Sequence, residues 1–151
     1  MRSILYRDLK PQNIGLDDTG VVKIFDFGLA KELKPKYEVG VDQYRGSKAH
    51  GTRRYMAPEV YNSDLYGLPA DVYSFTVVFW QLLSCTVPFK GLDMGAHAHE
   101  VYVKKFRPTI KRKWPKKIKA MIAKGWDCEP SRRPKMSDWL GAIDEYMDFR
   151  C

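Results

Sequence analysis

Within eight residues, Tyr6-Arg7-Asp8-Leu9-Lys10-Pro11-Gln12-Asn13, one loop sets a carboxylate, an ammonium and a carboxamide at fixed offsets. A second carboxylate follows in Asp26-Phe27-Gly28. The set suits phosphoryl transfer to a hydroxyl. That chemistry needs a carboxylate to take or orient the hydroxyl proton, a cation beside the migrating group, and oxygen ligands for a divalent metal. Asp8 supplies the first and Lys10 the second. Asn13 and Asp26 offer the oxygen donors that a hard cation such as Mg²⁺ prefers. Gly28 frees the backbone two residues after Asp26.

Positioning these groups requires the chain to turn back on itself. Ile14-Gly15-Leu16 and Val21-Val22-Lys23-Ile24 are β-prone runs separated by the turn-forming Asp17-Asp18-Thr19-Gly20, which predicts one short hairpin that returns Asp26 to the side of Asn13. From Leu33 to Thr52 periodicity is lost, and a long exposed loop is expected, of the kind that usually carries function. Pro69 then opens a helix from Asp71 to Ser84 that is apolar nearly all round (Val72, Phe75, Val78, Phe79, Trp80, Leu82, Leu83), so it belongs at the centre of the fold. Asp93 can cap a helix running to about Val103. Pro115 starts another, with Ile118, Met121 and Ile122 on one face. Met136, Leu140, Ile143 and Met147 recur at helical spacing and predict an amphipathic helix at the end.

The bulk properties exclude several classes. The chain has 151 residues, 44% hydrophobic and 29% charged, which suits one globular domain rather than a disordered chain. Lys and Arg outnumber Asp and Glu by 26 to 18, a net +8, a moderate bias toward acidic partners that does not amount to a nucleic-acid-binding signature. No apolar stretch is long enough for a membrane span, and the start carries Asp8 instead of a signal-peptide core. Three cysteines without metal-ligand spacing read as reduced thiols inside the cell, with Cys85 and Cys128 expected as buried small hydrophobes. His97 and His99, two apart on a helix, do not share a face and are not read as a metal site. Ten Lys or Arg lie between Lys104 and Lys124; they read as a solvated helix face, with nuclear import or docking as the alternative to a cytoplasmic setting. The four tryptophans read as core or groove-lining residues.

The ordered set Arg7-Asp8-Leu9…Asn13, Asp26-Phe27-Gly28 and Ala57-Pro58-Glu59 resembles the eukaryotic-type protein kinases, whose signature runs His-Arg-Asp-Leu-x-x-x-Asn, Asp-Phe-Gly, Ala-Pro-Glu. The resemblance covers residues 1–149 and implies a mainly α fold from an α+β family: the large helical lobe with one short β-hairpin. It implies ATP and Mg²⁺ as cofactors and a protein as substrate. It makes Asp8 the catalytic Asp, Lys10 the phosphate-contacting Lys, and Asn13 and Asp26 the Mg²⁺ ligands. Lys10, together with Gly51-Thr52 ahead of Tyr55-Met56-Ala57-Pro58-Glu59, points to Ser/Thr hydroxyls. Asp71-Val72-Tyr73-Ser74-Phe75 and the stretch from Trp126 to Pro134 look most like the tyrosine-kinase-like group. In such kinases Thr52 bonds to the catalytic Asp and Lys, Glu59 pairs with the residue at Arg133, and Asp71 holds the catalytic-loop backbone. Tyr6 stands where the family usually has His, a place that packs on Phe27, and an aromatic ring can fill it.

The family also requires a small lobe carrying a Gly-rich phosphate loop and a Lys–Glu pair. No Gly-x-Gly occurs in this sequence, and nothing ahead of Asp8 is expected to hold a strand or helix. A fragment truncated at its N-terminus, inactive without its missing N-terminal lobe, is therefore expected. A non-catalytic interaction module that keeps the substrate-docking lobe is the alternative. Either way the central helix near Phe75 to Leu83 is expected to expose apolar surface. Arg7 before the catalytic Asp implies control by phosphorylation of the following loop, with Ser47 the first candidate and Tyr44 the second; Thr52 reads as structural.

Overall fold

The structure, a computed structural model, describes residues 3–34, 36, 38–40, 43–45, 51–62 and 65–148. Among the described residues seven short strands precede or punctuate five helices: β1 Ser3–Leu5, β2 Ile14–Leu16, β3 Val22–Ile24, β4 Lys31–Leu33, β5 Glu38–Gly40, β6 Gln43–Arg45, α1 Pro58–Asn62, β7 Leu65–Tyr66, α2 Pro69–Ser84, α3 Met94–His97, α4 Lys116–Gly125 and α5 Met136–Asp148. After α3 the chain widens into π-helical turns over Ala98–Val103. No described helix is long and apolar enough to cross a membrane.

The expected hairpin is β2 with β3, antiparallel, Ile14 opposite Ile24 and Leu16 opposite Val22. Its turn is held by Asp17, whose Oδ1 accepts from the amides of Thr19 (3.0 Å) and Val21 (2.9 Å). Gly20 takes the left-handed φ of 82° that such a turn requires. The expectation of a single hairpin is corrected by two more small sheets. β1 pairs with β4, so a strand does precede Asp8. β5, β6 and β7 form a three-stranded sheet, so Glu38–Gly40 and Gln43–Arg45, within the segment expected as a long exposed loop, are strands. Three-residue strands are too short to show an alternating pattern. Only their distant partners, Leu33 for Ser3 and Tyr66 for Tyr44, define them.

α2 is the centre of the fold, as its all-round apolar sequence requires. Pro69 at its first turn costs no hydrogen bond. Tyr73, Thr76 and Val77 are completely buried. Asp93 caps the next helix as expected, its Oδ1 accepting from Gly95 and Ala96 at 2.9 and 2.8 Å. The apolar surface expected on α2 is confined to Leu82, 66% exposed, while Phe75 and Phe79 are half-buried against the Trp139 indole at 5.2 and 5.1 Å. That indole sets the rotation of α5. Trp139, Ala142, Ile143 and Tyr146 face the core, whereas Met136, Leu140 and Met147 are exposed, so the recurring stripe is the helix's shoulder and only Ile143 belongs to both. Cys85 is also corrected. It ends α2 in a left-handed conformation (φ 52°) that leaves its thiol exposed, and Cys128 is half-buried.

α2 and α4 approach so closely that one side chain fits between them. Thr76 donates to the Val72 carbonyl at 2.7 Å and faces Gly125. A Cβ on Gly125 would lie 2.2 Å from Thr76 Oγ1 and 3.1 Å from Thr76 Cβ. Gly125→Ala is therefore expected to destabilise by about 1–3 kcal/mol through overpacking. Adding Thr76→Ala should recover most of the loss, so a urea-denaturation double-mutant cycle without a coupling energy would refute the contact.

His97 is buried between the rings of Phe89 (5.0 Å) and Tyr102 (5.5 Å), and neither ring nitrogen has a partner among the described residues. Burial, aided by the charges of Arg54, Arg53 and Arg107, pushes its pKa down from 6.5 to about 4. A depressed folded pKa gives a contribution to stability that is complete above pH 6.5 and lost as pH falls toward about 4. His97→Phe, which keeps the ring packing, should flatten the pH dependence of the melting temperature across that window.

Candidate active site

The first turn of α2 builds the loop that carries Asp8. Both Asp71 carboxylate oxygens accept from consecutive amides, Oδ2 from Tyr6 N–H at 2.6 Å and Oδ1 from Arg7 N–H at 2.9 Å. Between these bonds Arg7 adopts φ 72°, a left-handed value costly for a side-chain-bearing residue. The clamp offsets that cost and turns the chain so that Asp8 faces inward. Burial raises the Asp71 pKa, and the two amides and the Arg7 charge counter only part of it.

Asp8 is itself nearly buried and surrounded by donors. Its Oδ1 accepts from the Thr52 amide (2.8 Å) and hydroxyl (2.9 Å), and its Oδ2 from Lys10 Nζ (2.6 Å) and Asn13 Nδ2 (3.2 Å). Lys10 Nζ also donates to Thr52 Oγ1 at 3.0 Å, which closes a three-residue ring of charge-assisted bonds. Burial acts to raise the Asp8 pKa, but Lys10 and Thr52 together outweigh it and hold the carboxyl below its ordinary value. Gly51 makes the approach of Thr52 feasible. It has φ 110°, and a Cβ there would fall 2.5 Å from the Arg7 carbonyl.

Asn13 and Asp26 come together through the hairpin, as expected. The Asn13 carbonyl accepts from the Phe25 amide at 2.9 Å, extending the β2–β3 ladder to the residue before Asp26. Asn13 turns its amide nitrogen to the Asp8 carbonyl (3.0 Å), so the amide oxygen is the atom of Asn13 that could hold a cation. Asp26 is exposed, at φ 54° in the left-handed region that Asp tolerates better than most residues, and its Oδ1 accepts from Gly28 N–H at 3.3 Å. Tyr6 fills the aromatic place expected of it. Its ring meets Phe27 edge-on at 5.4 Å and its hydroxyl donates to the Phe25 carbonyl.

The remaining residues singled out from the sequence lie at increasing distance. Arg7 directs Nε at the Leu29 carbonyl and Nη1 at the Tyr66 hydroxyl (3.2 Å). Ser47 lies outside the described residues, and Tyr44 sits opposite Tyr66 in the β6–β7 pair. Glu59 and Arg133 form a two-bond fork at 2.6 and 2.7 Å, and Arg133 also donates to the carbonyls of Asp127 and Pro69 and stacks over Tyr73. The fork fixes the segment after Thr52 and takes no part in the Asp8 cluster. Sequence reasoning missed Tyr66, which engages Arg7, and Tyr102, whose hydroxyl donates to the Arg53 carbonyl at 3.0 Å. Neither carries a local sequence signal, because each contact spans about fifty residues or more.

The protein kinase domain family matches residues 1–142. Among curated proteins the chain is 38% identical to the dual specificity protein kinase shkB of Dictyostelium discoideum over 90% of its own length. It is 33% identical to the serine/threonine-protein kinase TNNI3K of Rattus norvegicus over 94%, and 34% identical to the serine/threonine-protein kinase STY46 of Arabidopsis thaliana over 95%. The chain belongs to the eukaryotic-type protein kinases, and its relatives have the tyrosine-kinase-like character read from its sequence. It spans 20%, 16% and 24% of the lengths of those three relatives.

Asp71→Asn should test the clamp. An amide keeps one acceptor and sets an N–H against a backbone N–H, an expected loss of about 1–3 kcal/mol in chemical denaturation. An unchanged midpoint would mean that Asp71 does not hold the loop.

Proposed function

We propose that this chain is the catalytic segment of a serine/threonine protein kinase, transferring the γ-phosphate of ATP to protein hydroxyls. The observation that carries the reading is the Asp8–Lys10–Thr52 ring with Asn13 and Asp26 beside it. Asp8 is ionised and held at a fixed angle, as required of a group that orients an incoming hydroxyl and accepts its proton. Lys10 already bridges Asp8 and Thr52, so its ammonium stands where charge on a transferring phosphoryl group would be neutralised. The Asn13 amide oxygen and the exposed Asp26 carboxylate fit a hard cation and would hold Mg²⁺. Bound there, Mg²⁺ would supply charge neutralisation for the ATP phosphates. Arg7 is read as the receptor for a loop phosphate on Ser47, which would have to compete with the Tyr66 hydroxyl for the guanidinium. The free thiols of Cys85 and Cys128 suit an intracellular setting.

The Gly-rich clamp that the chemistry also needs is not in these 151 residues. The chain alone is therefore expected to incorporate no phosphate from labelled ATP into a basic acceptor protein. Joined to a kinase small lobe it should do so, on Ser and Thr, and Asp8→Asn in the joined protein should lower turnover about 10²–10⁴-fold. Turnover by the chain alone, predominant phosphotyrosine, or an active Asp8→Asn variant would each contradict the reading.

A further inference from the structure

Arg53 follows directly on Thr52, whose amide and hydroxyl both bond Asp8. Its backbone is tied down: the carbonyl accepts from the Tyr102 hydroxyl at 3.0 Å. Its guanidinium lies 5.7 Å over the Tyr61 ring, which in turn stacks on Tyr102 at 4.5 Å and 28°. An arginine laid on an aromatic bed keeps its charge and its planar donors while losing little freedom, so it is prepared to grip a carboxylate. Among the described residues no carboxylate does so. Asp8 is taken by Lys10 and Thr52, Asp71 by two amides, Glu59 by Arg133 and Glu100 by Lys104. Among the described residues Arg53 has no acidic partner.

The surroundings reinforce its charge. Arg54 is anchored beside it through a bond to the Pro88 carbonyl, and Arg107 is held by the Trp126 carbonyl at 3.0 Å. After burial itself, the charges of Arg54, Arg53 and Arg107 are what lower the pKa of the nearby His97 imidazole, which places the three guanidinium groups around one spot. The whole chain carries +8.

We propose that Arg53 is a specificity-determining residue that selects protein substrates bearing an aspartate or glutamate close to the accepting hydroxyl. The proposal rests on the kinase reading of Asp8 and names the substrate class for that site. Because Arg53 is the next residue after Thr52, its guanidinium can meet a side chain within about three residues of the hydroxyl, given an advance of about 3.3 Å per residue in an extended peptide. A carboxylate can take two parallel N–H bonds from the guanidinium edge, which gives direction as well as attraction.

The test measures binding and needs no turnover. Fluorescent synthetic peptides with a central serine and flanking Asp, Ala or Lys are titrated with the 151-residue chain at low and high salt, reading anisotropy. The Asp peptide should bind roughly tenfold more tightly than the Ala peptide at low salt, the worth of one charge-assisted contact. Arg53→Ala should erase that preference, Arg53→Glu should reverse it toward the Lys peptide, and Arg53→Lys should keep part of it. Thermal melts establish that each variant is folded, and a global loss of structure cannot produce the reversal. Equal binding of the three peptides, a preference that survives Arg53→Ala and Arg53→Glu, or no binding of any peptide overturns the proposal. Each of those results leaves the kinase reading to its own phosphate-transfer test, and a failure of phosphate transfer leaves the peptide preference measurable.

Discussion

The carboxylate of Asp71 is the constraint on which the site depends. One half-buried side chain on the first turn of α2 accepts from two consecutive loop amides and so fixes the left-handed turn at Arg7. Neither half is favourable alone. The carboxylate is penalised by desolvation, and the left-handed arginine by its own Cβ. Together they satisfy each other, and the loop's geometry becomes a property of the central helix instead of the loop.

Downstream of that clamp the site is organised by charge. Asp8 gathers donors from Lys10 and Asn13 in its own loop and from Thr52, 44 residues away, and the bonds to Thr52 would be lost if the loop moved. The depressed Asp8 pKa follows from this convergence. The approach of Thr52 is secured from two sides. Gly51 permits close passage over the Arg7 carbonyl, and the buried Glu59–Arg133 fork holds the following segment against α2. A buried fork of this kind is costly to break, because either partner alone would be an uncompensated charge. Arg53 lies between these two fixed points, which is why its guanidinium has a defined place over Tyr61 with no carboxylate partner among the described residues.

The packing around α2 shows a second kind of constraint. Thr76 and Gly125 are complementary, a side chain on one helix occupying the space a Cβ would need on the other. Trp139 plays the equivalent part for α5, seating its indole on Phe75 and Phe79 and so choosing which face of the helix is covered. The contacts among α2, α4 and α5 are therefore specified by shape at a few positions, within a core where general hydrophobicity supplies most of the driving force.

The sequence by itself determined the family, the candidate set of chemically competent residues and the local elements. Asp8, Lys10, Asn13 and Asp26 were legible because side-chain type and spacing carry that information directly, and the Asp17–Gly20 turn predicts the hairpin that joins them. The helices at Pro69, Asp93, Pro115 and Met136 were legible from caps, prolines and apolar period, all of which are encoded within a few residues. What only the tertiary structure decided are the features whose energy comes from distant partners. β1 exists through Lys31–Leu33, and β6 through Leu65–Tyr66. The covered face of α5 is set by Phe75 and Phe79, and not by its most regular apolar stripe. Arg7 meets Tyr66 across 59 residues, a separation at which no sequence pattern relates the two. Residue type fixes what a group can do, but which groups meet depends on packing summed over the whole chain.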